Sequence, residues 1–401
     1  MSINPVSDEG IASLWTGVSR FPVALFRQQL ELAYRGFGLP ELDAKEAVDV
    51  LSAADLYGIE SHGIALIDYH SSGYRAGDFV PGAPLTVNRE TPVSVTFDGH
   101  SGPGPVQGSR AMRRCVEKAT ESGICIATVN NSTHYGMAGY YARMASDAGL
   151  IGVAMTNSGS LVAPTFGSAP MLGSNPIAVA VPAGAGSDGI VLDMSTSTVA
   201  WGKIAIAQRA GKSLPDGWAQ DKTGRPTNDP NEVGALTPLG GERITSGQKG
   251  YGLGLIVDVL CGPLGGGGSS WQVLGGLGNG RGSGVGHSFM AWRIDAFRDP
   301  EEFHTDIRQM IADLHASPVA PDVPSDRVLV PGDIEAATRR YNEKHGVPVR
   351  PQVLDEVRAV CDEWGVPFVL TGERAPCALL LTEHSCSLAS RRPPGCRGVD
   401  S

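Results

Sequence analysis

Short apolar runs alternate with helix-like segments through the middle of the chain, and this alternation limits the possible folds more than any other feature. Residues 124–129 (ICIATV) and 150–155 (LIGVAM) are almost wholly apolar, as in strands that are covered on both faces. The segment 136–149 between them has the spacing of an amphipathic helix. Residues 176–183 and 189–196 read as two more buried strands. This order of elements predicts an α/β fold with a layered core.

The flanking segments have other patterns. Residues 22–57 are predicted to form two packed helices, and residues 61–79 a turn followed by a helix. An apolar helix over 249–264, expected to be buried, and a strand over 287–297 come later in the chain. Residues 214–230 are polar and rich in Pro and Gly, which predicts a long surface loop.

The chain is therefore expected to have four portions. Residues 1–100 form a mainly helical N-terminal portion, 101–295 the central α/β region, and 296–368 a helical C-terminal segment that completes the fold. Residues 369–401 form an appended tail that holds three of the seven cysteines and shows no amphipathic period. We expect this tail to be disordered.

Composition restricts the class of protein further. The 401 residues are 41% hydrophobic and 18% charged, which is typical of a globular protein with a large core. The formal charge of −10 comes from scattered carboxylates, without a basic patch for nucleic acid or anionic lipid. No secretory signal and no apolar stretch of roughly 20 residues is visible, so we expect a cytoplasmic protein. Seven cysteines without a C-x-x-C pair or zinc-like spacing predict reduced thiols and no metal site.

The glycines at 102, 104 and 108 come closest to a dinucleotide-binding fingerprint, and they do not match it. The third glycine is one residue late, and Pro103 and Pro105 lack the backbone N–H groups that a pyrophosphate would need. An ordinary turn is the better interpretation. The G-x-S-x-G, H-E-x-x-H and P-loop patterns are also missing, which argues against serine hydrolases, zinc hydrolases and phosphoryl transfer.

Two of the nine histidines lie in distinctive contexts. His62 follows Ser61 and precedes Gly63, which permits unusual backbone angles. His134 lies just before a predicted helix start, with Gly136 close behind it. An imidazole titrates near neutral pH and can act as general acid when a carbonyl oxygen needs a proton. A capping or solvent-facing role is the alternative for both residues.

Three further positions are candidates for ligand binding. Asp193 lies near the end of a predicted strand, where it could orient a histidine, hold a ribose hydroxyl or cap a helix. Lys249 precedes the glycines of the predicted apolar helix, where a cation could bind a phosphate or carboxylate, or stay idle on the surface. Asp333, in the triplet Pro331–Asp333, could be a helix N-cap, and the free amides there could bind an anion.

Eight blocks of sequence occur in an order typical of one enzyme family. They are 61–63 (SHG), 133–142 (THYGMAGYYA), 155–183, 191–204 (VLDMSTSTVAWGKI), 214–230, 238–255, 284–289 (GVGHSF) and 331–333 (PGD). Over roughly residues 20 to 368 the chain resembles the malate/L-lactate dehydrogenase family, also called type 2 or sulfolactate dehydrogenase-like. The family includes ureidoglycolate dehydrogenase, 2,3-diketo-L-gulonate reductase and Δ1-piperideine-2-carboxylate reductase.

The resemblance implies a fold, an activity and an assembly. The fold is a non-Rossmann nicotinamide-binding fold with a mixed sheet between helices and a helical N-terminal portion. The activity is hydride transfer between NAD(P)H and a small 2-oxo acid, or in reverse the oxidation of a 2-hydroxy acid. The assembly is a homodimer.

The resemblance also implies roles for individual residues. The acid–base candidates are His62 first and His134 second, with Asp193 as a partner or as a cofactor ligand. The implied cofactor contacts are Asp193, Met194, Ser195, Lys249, Gly250, Pro331, Gly332 and Asp333. The implied contacts to a small carboxylate substrate are Ser61, Ser158 and Lys249.

One position departs from the family pattern. The family commonly has an arginine three residues after SHG, suited to clamping a carboxylate, whereas this chain has Leu66. Arg75 or Lys249 could compensate, or the substrate is shaped differently. The alternative function is therefore reduction of a cyclic imine, Δ1-piperideine-2-carboxylate or Δ1-pyrroline-2-carboxylate. A cofactor-binding protein without catalysis and an α/β hydrolase are weaker alternatives, and the sequence does not distinguish NAD from NADP.

Overall fold

The computed structural model describes residues 4–209, 211–273 and 283–371, and these ranges contain eleven α-helices. The helices are α1 (Asp8–Leu14), α2 (Val23–Gly36), α3 (Glu41–Leu56), α4 (Ile67–Ala76), α5 (Gly104–Ser122), α6 (Ala138–Asp147), α7 (Trp201–Arg209), α8 (Gly247–Cys261), α9 (Pro300–His315), α10 (Asp333–His345) and α11 (Pro351–Trp364). The two helices predicted over 22–57 are α2 and α3.

Twelve strands accompany the helices in the described ranges. They are β1 (Ser19–Phe21), β2 (Thr86–Thr91), β3 (Ser94–Asp98), β4 (Ile124–Ser132), β5 (Leu150–Thr156), β6 (Ile177–Val181), β7 (Ile190–Met194), β8 (Ala219–Asp221), β9 (Pro226–Thr227), β10 (Val233–Leu236), β11 (Val285–Arg293) and β12 (Val347–Val349). The four buried strands and the later strand read from the sequence correspond to β4, β5, β6, β7 and β11.

Seven of the strands form one mixed sheet in the order β2-β3-β4-β11-β5-β6-β7. The pair β3 and β4 is parallel, and the other neighbours in this sheet are antiparallel. The sheet starts before the boundary expected at residue 101, because β2 and β3 belong to the portion 1–100 and pair with the central strands.

Helices cover both faces of this sheet. α5 and α6 pack on one face, where Tyr141 of α6 is buried with Ala154 of β5. α8 packs on the other face, where Cys261 is buried with Val153 of the same strand. Neighbouring residues of β5 join different clusters because successive side chains of a strand point to opposite faces. The predicted mixed sheet between helices is confirmed.

The N-terminal helices form a second core together with the last helix of the fold. Phe26 and Leu30 of α2 and Leu51 of α3 are buried in one cluster with Val357 and Cys361 of α11. The short strands β1 and β12 pair antiparallel beside it. The C-terminal segment thus packs back onto the N-terminal helices.

Residues 214–230 contain regular structure where the sequence predicts a loop. β8 and β9 lie in this segment and form a small antiparallel sheet with β10. The strands are only two to four residues long, which is too short for a side-chain period to show in the sequence.

The prediction that the apolar helix over 249–264 is buried is wrong for one face of α8. Val257 is fully buried against the sheet, whereas Ile256 is 55% exposed and Val259 is 44% exposed. A helix that is apolar on all sides is usually buried on all sides, but in a single chain only the face of α8 that packs on the sheet is buried.

The packed chain continues two residues beyond the boundary expected at Phe368. The Val369 N–H donates a hydrogen bond of 2.6 Å to Oε1 of Gln29, and the Leu370 side chain is buried. Residues 372–401 lie outside the described residues, and with them most of the predicted tail and Cys377, Cys386 and Cys396. The described cysteines are unpaired thiols: Cys115, Cys125, Cys261 and Cys361. None of the described helices is long and apolar enough to cross a membrane.

Candidate active site

A cavity of about 510 Å³ is lined by both histidines that the sequence singles out. We call it the histidine cavity. His62 enters it from the 3-10 turn Glu60–His62, and His134 enters from the loop that follows β4. Their ring centroids are 5.5 Å apart. The fold therefore brings together two residues that are 72 positions apart in the sequence.

The position of His62 depends on the glycine that follows it. A side chain at Gly63 would overlap the Asp55 carboxylate, with a Cβ only 1.9 Å from Oδ2. The same carboxylate accepts a hydrogen bond of 2.8 Å from the Ile64 N–H. The turn is thereby tied to α3, and burial lowers the pKa of the half-buried His62.

The two histidines have different hydrogen-bond partners. Nδ1 of His62 lies 2.8 Å from the Ser61 hydroxyl, which can donate or accept. Nδ1 of His134 accepts a hydrogen bond of 3.2 Å from the Gly136 N–H, which can only donate. Neutral His134 therefore carries its proton on Nε2, and burial followed by the other histidines nearby, His62 first, holds its pKa well below 6.5.

Two glycines allow the His134 loop to adopt this geometry. Gly136 has φ of +82°, a backbone conformation that favours glycine. Gly104, at the start of α5, lies so close to the loop that an added Cβ would be 2.4 Å from the His134 carbonyl oxygen. The glycines at 102, 104 and 108 thus belong to a helix start and a close backbone approach.

Hydroxyl and amide side chains supply further polar groups in the cavity. Ser158 and Ser174 both line the cavity, and the Ser158 hydroxyl accepts a hydrogen bond of 3.2 Å from the Ser174 N–H. Thr156 and Asn157 also line the cavity, beside apolar Leu66. Among the described lining residues none is Arg or Lys. The cavity is suited to an uncharged or hydrogen-bonded part of a ligand.

A second pocket, of about 330 Å³, contains Asp193. We call it the Asp193 pocket. Asp193 is the fourth residue of β7, and its carboxylate accepts a hydrogen bond of 2.7 Å from the Gly139 N–H in the first turn of α6. This bond replaces the predicted pairing with a histidine. The two cavities adjoin along residues 134–139, since Tyr135 and Gly136 line the first, and Met137 and Gly139 line the second.

The charges in the Asp193 pocket are only partly compensated. Burial raises the pKa of Asp193 to about 6, and the Glu335 carboxylate acts in the same direction. The Gly139 N–H and the Arg143 guanidinium act against this rise. The Asp193 side chain is nevertheless exposed to the pocket, and with a pKa of about 6 it is mostly ionised at neutral pH.

The predicted triplet Pro331–Asp333 forms the opening turn of α10. Pro331 and Gly332 line the Asp193 pocket, and the Pro331 carbonyl accepts a hydrogen bond of 2.9 Å from the Val191 N–H of β7. Gly332, with φ of +101°, is the N-cap, so the expected N-cap at Asp333 is wrong. The Asp333 carboxylate instead accepts hydrogen bonds from the Val330 N–H at 2.9 Å and from Nε2 of His315 at 2.8 Å.

Several of the other predicted residues lie outside both cavity linings. The Ser195 hydroxyl lies 3.0 Å from the Ser197 hydroxyl within its own turn, and Met194 pairs with β6. Lys249 is exposed near the start of α8, and Gly250 is buried where an added Cβ would be 2.2 Å from the Leu239 carbonyl oxygen.

The proposed replacement of a carboxylate clamp by Arg75 is not supported. Arg75 forms an ion pair with Glu363 of α11 and does not line the histidine cavity. Lys249 is also absent from the described lining. Leu66 itself does line the cavity, so the departure from the family pattern falls at the site.

Sequence reasoning missed several residues of the two cavities. Tyr69, Tyr135 and Thr156 line the histidine cavity, and Arg143 and Glu335 line the Asp193 pocket. Tyr135 and Thr156 lie within the blocks that carry the family resemblance, which is the signal that could have identified them. Nothing in the local sequence marks Arg143 or Glu335.

The Asp193 pocket has the chemistry of a site for a nicotinamide cofactor. The Ile334 and Glu335 N–H groups in the first turn of α10 have no hydrogen-bond partner among the described residues and can donate to a phosphate, and the helix dipole favours an anion there. The Asp193 carboxylate can accept hydrogen bonds from ribose hydroxyls. An added Cβ on Gly332 would be 3.2 Å from the Val191 backbone nitrogen, so the turn lies close against β7.

Several known dehydrogenases are similar in sequence to this chain. The family model for malate/L-lactate dehydrogenase matches residues 22–358. Malate dehydrogenase of Pyrococcus horikoshii is 41% identical over 82% of this chain and 91% of its own length. Ureidoglycolate dehydrogenase (NAD(+)) of Escherichia coli K12 is 31% identical over 80% and 88%. (2R)-3-sulfolactate dehydrogenase (NADP(+)) of Chromohalobacter salexigens is 31% identical over 82% and 93%.

Solved structures have the same fold. The structure of the Pyrococcus horikoshii malate dehydrogenase aligns with a TM-score of 0.79 and 36% identity over 88% of this chain and 97% of that one. Δ1-piperideine-2-carboxylate reductase of Pseudomonas syringae aligns with a TM-score of 0.74 and 25% identity over 85% and 99%. The chain belongs to the malate/L-lactate dehydrogenase family and is an NAD(P)-dependent dehydrogenase of small 2-hydroxy acids.

Proposed function

We propose that the histidine cavity binds the reacting end of a 2-oxo or 2-hydroxy acid and that His62 exchanges the proton of the reaction. The observation that carries this assignment is the difference between the partners of the two histidines. The Ser61 hydroxyl can accept from Nδ1–H of His62, so Nε2 is free to gain and lose a proton. Protonation of His134 would place a hydrogen on Nδ1, where it would face the Gly136 N–H. The contact between these two donors disfavours the charged form of His134.

In this assignment His134 orients the substrate. Its Nε2–H donates a hydrogen bond to the substrate oxygen, while His62 takes the proton from the hydroxyl group during oxidation and returns it during reduction. The bound cofactor supplies or accepts the hydride at carbon 2. The lowered pKa of His62 favours the neutral base that oxidation of a hydroxy acid requires.

The Asp193 pocket is the proposed site for the polar parts of NAD or NADP. The support is its position beside the histidine cavity and the N–H groups of Ile334 and Glu335 in the first turn of α10, which have no hydrogen-bond partner among the described residues. Asp193 and the start of α10 are the proposed contacts. Asp333 would support the cofactor site by holding the Pro331–Gly332 turn in place, since its carboxylate accepts hydrogen bonds from Val330 and His315. Direct contacts from Met194, Ser195, Lys249 and Gly250 belong to the same proposal, as do substrate contacts from Ser61, Ser158 and Lys249.

Malate and oxaloacetate are the first substrates to test, because the malate dehydrogenase of Pyrococcus horikoshii shares 41% identity with this chain. The cyclic imine is the second candidate. Its support is Leu66, which places an apolar side chain in the cavity, and the fold of the piperideine carboxylate reductase.

We also propose that the protein is a homodimer in the cytoplasm. The exposed apolar side chains of α8, Ile256 and Val259, together with Leu264 and Trp271 that follow, form a surface that a second copy would cover. Replacing Ile256 by Glu should convert a dimer into a monomer in light scattering. A wild-type monomer at micromolar concentration would contradict the dimer.

The function is tested by following the absorbance of NADH and, separately, NADPH with the purified protein. The panel contains oxaloacetate, pyruvate, 2,3-diketo-L-gulonate and Δ1-piperideine-2-carboxylate. We expect turnover with at least one 2-oxo acid. Turnover with the cyclic imine alone would support the alternative, and silence with the whole panel would contradict the assignment.

A further inference from the structure

The segment that follows β5 forms one wall of the histidine cavity. Residues 156–161 all line the cavity, and only the first of them, Thr156, is still part of β5. An irregular segment lacks a continuous ladder of backbone hydrogen bonds, so its geometry depends strongly on side-chain contacts. Ser158, a proposed substrate contact, lies in this segment. The shape of this wall is therefore set by the residues that anchor it.

The Asn157 side chain is the first anchor. Its amide nitrogen donates to Oδ1 of Asp258 at 3.0 Å and to the Gly268 carbonyl oxygen at 2.9 Å. Its amide oxygen accepts a hydrogen bond of 2.8 Å from the Gly286 N–H. Because two acceptors face the nitrogen and a donor faces the oxygen, the partners determine the orientation of this amide.

The second anchor holds Ser158 itself. The Ser158 N–H donates a hydrogen bond of 3.2 Å to Oδ1 of Asn175, whose Nδ2 donates to the Gly254 carbonyl oxygen of α8 at 3.0 Å. Asn175 has φ of +35°, a backbone conformation that residues other than glycine rarely adopt, so its contacts have to hold it there. The Ser270 hydroxyl shares its hydrogen between Oδ1 of Asn175 at 3.2 Å and Oδ1 of Asp258 at 2.8 Å.

Both anchors lead to Asp258 of α8, which is only 1% exposed. Its carboxylate accepts hydrogen bonds from the Asn157 amide, from the Ser270 N–H at 2.9 Å and from the Ser270 hydroxyl. In the described part of the chain these donors are uncharged, and no cation forms an ion pair with this carboxylate. A buried carboxylate without a cation is costly, so its place in the core calls for an explanation.

We propose that Asp258 is a positioning residue for the acid substrate. Its Oδ1 holds Asn157 directly and Ser158 through Ser270 and Asn175, and this gives the cavity wall the shape that the substrate binds. The inference rests on the proposed function, which places the acid in the histidine cavity. The two histidines and the Asp193 pocket belong to other segments, so Asp258 should affect binding of the acid more than the chemical step or the cofactor.

The test compares Asp258→Ala with a conservative variant, Asp258→Asn. Asp258→Ala removes the acceptor, so the KM for the acid should rise by about tenfold, while kcat and the KM for the cofactor stay within about threefold of wild type. Asp258→Asn keeps an oxygen at Oδ1, the atom that accepts from both Asn157 and Ser270. It should therefore restore the KM for the acid to within about threefold of the wild-type value.

Val257→Ala is the matched control. Val257 precedes Asp258 in α8 and is fully buried, and its substitution removes apolar packing without removing a hydrogen bond. The control should melt at a lower temperature and keep the wild-type KM for the acid. A rise in KM that comes only from loss of stability would appear in this variant as well.

Ser270→Ala is a milder variant, which decides the question if Asp258→Ala does not fold. It removes the hydroxyl that connects Asp258 to Asn175 and keeps the N–H that binds the carboxylate. The KM for the acid should rise by about threefold, because one shared hydrogen bond is lost. An unchanged KM in Ser270→Ala would overturn the proposal.

A binding measurement separates this proposal from the proposed function. The Kd of oxalate, a planar analogue of a 2-oxo acid, is measured by calorimetry in the presence of the cofactor, and it requires no turnover. Failure of the wild type to bind oxalate would contradict the proposed function. If the wild type binds oxalate, equal binding by Asp258→Ala would overturn only the role of Asp258. An equal KM rise in Val257→Ala, or an Asp258→Asn variant as weak as Asp258→Ala, would overturn it too.

Discussion

The histidine cavity and the Asp193 pocket share a wall along residues 134–139 but differ in the charge they keep at neutral pH. In the cavity, burial lowers the pKa values of His62 and His134, so neutral rings predominate. In the pocket, Asp193 has a pKa of about 6 and stays mostly ionised, beside Glu335 and Arg143. The histidine cavity is therefore suited to proton transfer, and the Asp193 pocket is suited to the polar groups of a cofactor.

This difference arises because the two compartments are lined by different polar groups. The described lining of the histidine cavity offers hydroxyls, amides and imidazoles, which can exchange hydrogen bonds without a fixed charge. The Asp193 pocket has the Gly139 N–H and the first turn of α10, whose backbone N–H groups stabilise negative charge.

The largest expected effect separates the two histidines. His62→Gln should lower kcat/KM by about a thousandfold, because glutamine cannot carry the proton. His134→Gln should lower it by about thirtyfold or less, because its amide N–H can replace the hydrogen bond from Nε2. The exposed His345→Gln is the control and should match wild type. Equal losses in both cavity variants, or a larger loss for His134→Gln, would contradict the assigned roles.

A smaller effect is expected when Asp193 is changed to Asn. The loss of the charge should weaken cofactor binding by about tenfold, measured as the Kd of NADH or NADPH. Asp188→Asn, which removes the ion pair with Arg340 on the surface, is the control and should bind like wild type. Unchanged cofactor affinity in Asp193→Asn would remove the pocket from the cofactor site.

The same variant should also change how stability depends on pH. The folded pKa of Asp193 is raised above its usual 3.8, so the stability linked to its protonated form is full below pH 3.8 and is lost as pH rises through about 6. Asparagine does not titrate. As pH rises from 4 to 8, the melting temperature of Asp193→Asn should therefore increase relative to that of wild type. A difference in melting temperature that stays constant over this range would contradict the raised pKa of Asp193.

The smallest effect is expected at His315, which reaches the pocket only through Asp333. His315→Leu removes the partner of the Asp333 carboxylate and loosens the loop at Pro331 and Gly332. We expect about a threefold rise in KM for the cofactor with kcat unchanged. A large fall in kcat instead would mean that this loop acts on the histidine cavity as well.

Much of the fold could be predicted because its signals are local. The apolar runs that became β4 and β5 are mostly buried on both faces, so their pattern depends little on which strands pair. The predicted burial is only partly right for β6 and β7, which are buried on one face and half-buried or exposed on the other. The exposed face of α8 could not be predicted, because the sequence shows that a helix is apolar but not what covers it. The short strands β8 and β9 could not be predicted, because two or three residues are too few for a side-chain period to show in the sequence.

Part of the site could also be predicted from local sequence signals. His62 and His134 lie in distinctive glycine-flanked motifs, and the structure brings them to one cavity. The cap at Gly332 was mistaken for Asp333, because both residues have properties of a helix start and only the backbone angles separate them. Asp258 was missed because the hydrogen bonds that connect it to the cavity wall are visible only in three dimensions.

The reaction assigned to this chain is the transfer of a hydride between a nicotinamide cofactor and carbon 2 of a small acid. The most direct test is to offer NADH or NADPH carrying deuterium on the transferable position of carbon 4, together with the preferred 2-oxo acid, and to analyse the product by mass spectrometry. We predict one deuterium at carbon 2 of the hydroxy acid. A product without deuterium, or no product while the cofactor is bound, would contradict the claim.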